Sequence, residues 1–382
     1  MYRFFEPHQR ILVLGATGLL GNAIVRYLHS IGINTRNIIA ASSKEVNLLN
    51  SENTFNYLKE IKPTIIFHCA GDVGGITHNM NSQCDRMVNN LKMSMNAITA
   101  AYNLGIQRFY YMGSSCIYPT KDYSDLLESD LLQGAPEKTN EGYALAKIIG
   151  LKMCEYITTK NYHDGYGSSK FDYKTFNICN LYGYNDTFSA KGHFVPSLIS
   201  KIMYRKALGL TSPIRLLGDG TPIREMMFAD DAAAVIVNLC KSENVDKFTH
   251  INVGSGDWMS IKEIADTVAL VMSWTHGIEF EELNGNPLNG AQRKVVNTKL
   301  MDELVQPYYI PYTNFEEGLE LIISNLYKAN QRNFNRYSKH RISCDAYDLG
   351  IINKDEWDLI QISNPTNLSN ATGQNLPYHV SN

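Results

Sequence analysis

Residues 11–21 read Ile11-Leu12-Val13-Leu14-Gly15-Ala16-Thr17-Gly18-Leu19-Leu20-Gly21, a short apolar run that breaks into three spaced glycines and continues as a helical pattern. The apolar run predicts a buried strand, and the glycines let the chain turn sharply into a helix. At such a turn the helix presents unpaired backbone N–H groups, the natural seat of a pyrophosphate. Glycines also mark ordinary turns, so the triplet gains weight from its setting. Further apolar runs at 37–41, 64–69, 107–112 and 172–179 alternate with helical stretches at 19–30, 51–61, 86–104 and 143–160. Short strands alternating with longer helices predict βαβ units and a parallel sheet. The expected fold is therefore α/β: a Rossmann-type doubly wound parallel sheet with a smaller α/β substrate domain.

Working outward, the pattern loosens after about residue 182, with helices expected near 194–208, 229–240, 259–273 and 314–329. The expected division is a dinucleotide domain over 1–182, completed by return segments from the second half, a substrate domain over 183–332, and a partly ordered tail over 333–382. Hydrophobic residues at 44% and charged residues at 19% of 382 give an ordinary globular composition. Thirty-five Lys and Arg against 38 Asp and Glu leave a net charge of −3, without the basic excess of a nucleic-acid binder. No apolar run is long enough for a membrane helix, and the opening MYRFFEPHQR has no signal-peptide core. The seven cysteines (69, 84, 116, 154, 179, 240 and 344) have no CxxC spacing. Reduced thiols, a cytoplasmic location and no metal site are expected. The two sequons, at Asn367 and Asn370, then read as coincidence.

The glycine loop places Gly15, Thr17, Gly18, Leu19, Leu20 and Gly21 beside a dinucleotide. After the second strand, where an acidic residue would accept the ribose hydroxyls of NAD, the chain has Ser42, Ser43 and Lys44. Two hydroxyls and an ammonium suit a 2′-phosphate, which favours NADP; a solvated turn is the alternative. Asn50 and Ala70 complete the candidate cofactor set.

Tyr143 and Lys147 stand four apart in Tyr143-Ala144-Leu145-Ala146-Lys147, on one helix face. Ser114 and Cys116 follow the strand at 107–112, at the sheet edge where α/β proteins bind ligands. Reduction of a ketone needs a proton donor at oxygen as hydride reaches carbon. A phenol serves when a neighbouring cation steadies its anion, and a serine hydroxyl can hold the carbonyl. Tyr and Lys at this spacing also arise by chance on surface helices; together with the glycine loop and Ser114 they form a catalytic candidate.

These residues resemble the extended short-chain dehydrogenase/reductase family and, within it, the GDP-L-fucose synthases, also called GDP-4-keto-6-deoxy-D-mannose 3,5-epimerase/4-reductases. The similar blocks include Asn47-Leu48-Leu49, Val73-Gly74-Gly75-Ile76, Gly113-Ser114-Ser115-Cys116-Ile117-Tyr118-Pro119, Leu131-Leu132-Gln133-Gly134 and Thr139-Asn140-Glu141. Asn180-Leu181-Tyr182-Gly183, Gly220-Thr221-Pro222-Ile223-Arg224-Glu225, Asp230-Asp231 and His250 to Gly254 follow in the same order. The resemblance spans roughly 10–330 and omits the tail.

The resemblance implies a GDP-linked 4-keto sugar as substrate, a homodimer built on the 86–104 and 143–160 helices, and proton exchange at C3 and C5. It carries the acid–base pair to Cys116 and His193, and substrate contacts to Asn180, His193, Lys201, Arg224 and Lys294, with Arg224 and Lys294 toward the diphosphate. Departures are Leu217 where relatives typically carry Trp, Ile178-Cys179-Asn180 in place of Pro-Thr-Asn, Thr17 where some have a basic residue, and about ten extra residues at 161–172. The first two touch the sugar-nucleotide site. Beside the epimerase/reductase stand a reductase or epimerase/reductase for a related GDP-4-keto sugar (a dideoxyhexose or heptose), a 4-epimerase with tightly held NAD, and a non-enzymatic dinucleotide sensor.

Overall fold

A computed structural model describes residues 9–75, 80, 82–121, 124–163, 171–189, 192–241, 247–282, 290–306, 308, 310, 312–334 and 354. Ile76, most of the extra segment at 161–172, Cys344, both sequons and nearly all of the expected tail lie outside the described residues.

The glycine-rich start folds as the sequence predicts. Strand β1 (Ile11–Leu14) is buried along its length and turns directly into α1 (Leu19–Ser30), whose Ala23, Ile24 and Leu28 face the core. Then follow β2 (Ile38–Ala41), α2 (Ser51–Ile61), β3 (Ile65–His68), α3 (Gln83–Asn103), β4 (Arg108–Met112), α4 (Glu141–His163) and β5 (Asp172–Ile178). The second half supplies β6 (Asn180–Tyr182), α5 (Phe194–Leu208), β7 (Ile214–Leu217), β8 (Ile223–Phe228), α6 (Ala229–Lys241), β9 (His250–Val253) and β10 (Trp258–Ser260). It closes with α7 (Ile261–Val271), β11 (Ile278–Glu281), β12 (Arg293–Lys294), α8 (Lys299–Val305) and α9 (Phe315–Phe334).

Six strands form one parallel sheet in the order β2-β1-β3-β4-β5-β9. The order reverses at β1, so a crevice opens between the carboxyl ends of β1 and β3, where open α/β sheets bind ligands. Strand β9 returns from the second half to pair with β5. Both sheet faces are covered. Val13, Phe67 and Tyr110 pack with α1 and α6, while Leu12, Ile66 and Tyr111 pack toward α2, α3 and α4.

A further apolar cluster joins Tyr182, Ile199, Ile202, Phe228, Ile264, Leu319 and Ile322 around a small sheet in which β8 pairs with β6, β10 and β12. The strand expected over 172–179 forms as β5, and a further short strand, β6, follows it directly. The main chain leaves the six-stranded sheet at Cys179 and enters the small sheet at Asn180. Cys179 N–H still donates to Val253 O at 3.0 Å, so the crossing makes no orphaned donor there.

Candidate active site

The loop after β1 has the geometry of an anion cradle. Gly15 has φ +79°, and a Cβ there would lie 2.7 Å from Ala70 N. On Gly21 it would lie 2.2 Å from Gly15 O, so neither position admits a side chain. The amides of Gly15 and Ala16 both donate to Ala41 O (2.8 and 3.0 Å), tying the loop to the end of β2. Gly18 then precedes α1 with no side-chain cap, which leaves the first-turn N–H groups to a ligand. Thr17, Leu19 and Leu20 are half-buried around this turn, and Ala70 lies against it from the segment just after β3. These residues fit a dinucleotide pyrophosphate.

The end of β2 differs from expectation in one respect. Ser42 is buried, and its hydroxyl donates to Glu45 Oε2 at 2.6 Å while its amide donates to the same oxygen at 2.7 Å. Those two bonds hold the Glu45 carboxyl below its usual range. The Ser42 proton is therefore committed within the turn, and Ser43 and Lys44 are the exposed groups. Asn50 caps α2, its Oδ1 accepting from Asn53 N–H at 2.8 Å.

Strand β4 ends at Met112 and passes through Gly113, where a Cβ would sit 2.5 Å from Asn177 Oδ1. Ser114 then caps a short turn over Ser115–Ile117, accepting from Cys116 N–H at 3.2 Å. Opposite, α4 presents Tyr143 and Lys147 one turn apart. Buried Lys147 donates to Met112 O at 2.8 Å and lies 5.7 Å from the centre of the Tyr143 ring and 4.8 Å from that of Tyr111. Burial pulls its ammonium down to about 8, against the opposing pull of the Cys69 and Cys116 sulfurs. Burial pushes the Tyr143 phenol up, with Cys116 and Tyr111 adding to the shift, while a hydrogen bond with the Ser114 side chain draws it back. Phenol, ammonium and hydroxyl thus converge at the carboxyl edge of the sheet.

Cys116 belongs to the same cluster. Its sulfur receives Lys294 Nζ and Asn140 Nδ2, each at 3.3 Å. Burial alone would raise the thiol, but the Lys294 ammonium, the Ser114 bond and the Arg224 guanidinium outweigh it, and the net shift is downward. Lys294, expected toward a diphosphate, has its ammonium within reach of this sulfur. Asn140 was not among the candidates, although Thr139-Asn140-Glu141, three residues before Tyr143, marked its segment.

Arg224 and Lys294 are register partners on β8 and β12. Their strands are fixed by Glu225, wholly buried, whose carboxylate accepts from the amides of Ser255, Gly256 and Val296 at 2.9 Å each. Removing that acceptor would orphan three N–H groups at about 1–3 kcal/mol each. Arg224 Nη1 donates to Ile223 O at 2.8 Å; burial lowers the guanidinium, while Cys116 and Glu137 oppose the shift. Asn180 donates through Nδ2 to Glu225 O at 2.9 Å, joining β6 to β8.

His193 is exposed immediately before α5, without a side-chain capping bond. Asp186 is buried, and burial raises its carboxyl while His193 and the Thr187 amide bond pull it down. Among the described residues no hydrogen bond joins His193 to Cys116. Lys201 lies half-buried on α5 two turns beyond His193. The described residues contain no cluster suited to a metal ion.

A glycine-cradled crevice beside converging Ser114, Tyr143 and Lys147 defines a dinucleotide-dependent oxidoreductase of the short-chain type. Residues 11–254 match the NAD dependent epimerase/dehydratase family, and the chain belongs to it. It is 37% identical over 299 residues to a GDP-L-colitose synthase of Yersinia pseudotuberculosis, covering 77% of this chain and 91% of that one. It is 32% identical over 305 residues to a GDP-L-fucose synthase of Escherichia coli (strain K12), covering 78% and 90%. The solved structure of a GDP-mannoheptose C4 reductase from Campylobacter jejuni with NADP bound has the same fold, with TM-score 0.70, 24% identity and coverage of 85% and 99%. No helix among the described residues is long and apolar enough to cross a membrane.

Proposed function

We propose that this protein is a cytoplasmic, NADPH-dependent epimerase/reductase that converts a GDP-4-keto-6-deoxymannose-type sugar to GDP-L-fucose. The C4 ketone acidifies the protons on C3 and C5, and inverting those carbons needs a base on one ring face and an acid on the other. Cys116 takes the proton, the electron pair passes into an enolate on O4, and His193 returns a proton from the opposite face. The Gly15–Gly21 loop would hold the dinucleotide, with Ser43 and Lys44 available to its 2′-phosphate, and the bound cofactor would supply the hydride for C4. Tyr143 gives its proton to O4, Lys147 offsets the charge left on the phenol, and Ser114 hydrogen-bonds the carbonyl. Arg224 and Lys201 face the GDP moiety, and Asn180 lies beside the sugar.

The observation that carries this reading is the Cys116 sulfur under two N–H donors, in the same cluster as Ser114, Tyr143 and Lys147. Simple ketone reduction makes no use of such a thiol. The test is incubation with NADPH and GDP-4-keto-6-deoxymannose in deuterated water, followed by product NMR. Deuterium at C3 and C5 with L-fuco configuration is expected. NADPH oxidation without deuterium at either carbon would leave only a reductase, and bound NAD with no NADPH consumption would indicate a 4-epimerase.

A related GDP-4-keto sugar is the second reading, favoured by the 37% identity to a GDP-L-colitose synthase against 32% to the Escherichia coli fucose synthase. Turnover of a panel of GDP-keto sugars separates the two.

The homodimer is also part of this proposal. Helices α3 and α4 pack together and expose Val88 and Met95 on one and Leu145, Ile149 and Tyr156 on the other. An apolar stripe at helical spacing suits a partner helix pair. Ile149→Glu is expected to halve the mass measured by light scattering, because a carboxylate at the seam would be desolvated without a partner. An unchanged mass would remove these helices from the interface.

A further inference from the structure

We propose that Lys294 and Asn140 hold Cys116 as a thiolate ready to accept a proton. The thiolate's role as base rests on the function proposed above; its existence does not.

Two N–H donors reach one sulfur at 3.3 Å from separate parts of the chain. A neutral thiol is a weak acceptor, whereas a thiolate welcomes an ammonium and an amide N–H together. Neither donor arrives by accident of a loose side chain. Lys294 is carried by β12, which is aligned with β8 so that Lys294 faces Arg224 and is fastened by Leu126 N–H to Val295 O at 2.8 Å and Val296 N–H to Glu225 Oε2 at 2.9 Å.

Asn140 is carried by a turn that Gln83 clamps at both ends. Gln83 Nε2 donates to Lys138 O at 2.8 Å, and Gln83 Oε1 accepts from Gly142 N–H at 2.9 Å. A Cβ on Gly142 would come within 2.6 Å of Gln83 O, so α3 and the start of α4 meet with no slack.

The charged and titratable groups around the sulfur agree with this assignment. Lys294 and Arg224 approach from the small sheet, Ser114 from its own turn, and Tyr143 and Lys147 from α4. Glu137 bears on Arg224 rather than on the thiol. Burial opposes ionisation, and the cations with the Ser114 bond outweigh it.

The test is the pH dependence of alkylation by iodoacetamide in the full-length protein without substrate. Mass spectrometry of the peptide bearing Cys116 gives its midpoint, with exposed Cys84 as internal reference. The wild-type Cys116 midpoint is expected below that of Cys84. Lys294→Gln should raise it by about one pH unit or more, about a tenfold loss of thiolate at neutral pH. Asn140→Ala should raise it by a smaller step, about threefold. Lys294→Arg retains the charge and should stay near wild type.

A wild-type midpoint equal to that of Cys84, an unmoved midpoint in Lys294→Gln, or equal shifts in Lys294→Gln and Lys294→Arg would each overturn the assignment. If the thiol titrates as expected while product made in deuterated water carries no deuterium, the epimerase reading fails and the thiolate stands.

Discussion

Replacing Tyr143 by Phe should slow ketone reduction by a factor of about 10²–10⁴, the usual worth of a positioned general acid. The ring keeps its place on α4, and only the proton donor is lost. Burial pushes the phenol up, so Tyr143 stays protonated across the working pH range. A donor this reluctant needs help once its proton has left, and the Lys147 ammonium 5.7 Å from the ring centre supplies it. NADPH consumption at saturating cofactor and limiting substrate measures the loss. Deuterium exchange into recovered substrate should survive, because Cys116 and His193 are untouched. Undiminished NADPH consumption in Tyr143→Phe would remove Tyr143 from the reaction.

The same cluster sets the alkaline limb of the wild-type profile. Burial lowers Lys147 to about 8 from 10.5. Its ammonium is therefore intact below pH 8 and disappears as pH rises through that value, and the reduction rate should fall with it. The stability consequence has the opposite sense. A depressed lysine costs stability while both folded and unfolded chains are protonated, and that cost fades between about pH 8 and 10.5.

Legibility in the sequence followed the range of the interactions. The β1 run, the glycine turn and the α1 periodicity are local, and the structure reproduces them at 11–14 and 19–30. Tyr143 and Lys147 were legible for the same reason, since helical spacing alone puts them on one face. The commitment of Ser42 was local too: Ser42-Ser43-Lys44-Glu45 has the spacing of a capping box, and the carboxylate reaches back to the serine. A hydroxyl that could face a phosphate and a hydroxyl that closes its own turn are the same residue type, so only the neighbour three positions on distinguishes them.

Lys294 is the opposite case. Its contact with Cys116 crosses 178 positions and depends on the parallel pairing of β12 with β8. A two-residue strand has no periodicity from which to infer that pairing. Strand β6 was hidden similarly, because three residues at Asn180–Tyr182 are too few to show a period.

Cys116→Ser should abolish deuterium incorporation at C3 and C5 by a factor of about 10²–10⁴ while hydride transfer to the ketone continues. The substitution nearly preserves shape, so Lys294 and Asn140 keep their places. A hydroxyl, however, is a far weaker acid than a thiol, and the cations that ionise the sulfur cannot ionise the oxygen near neutrality. Ser114, Tyr143 and Lys147 remain, so NADPH oxidation should yield a C4-reduced sugar that keeps the substrate's C3 and C5 configuration. His193→Asn should behave differently. With the base intact and the opposite acid gone, Cys116 can remove a proton and return deuterium to the same face, giving exchange without inversion. Product NMR reads both results, label from the C3 and C5 signals and configuration from their couplings. Exchange that persists in Cys116→Ser would move the base elsewhere, and inversion that persists in His193→Asn would free His193 of the role of acid.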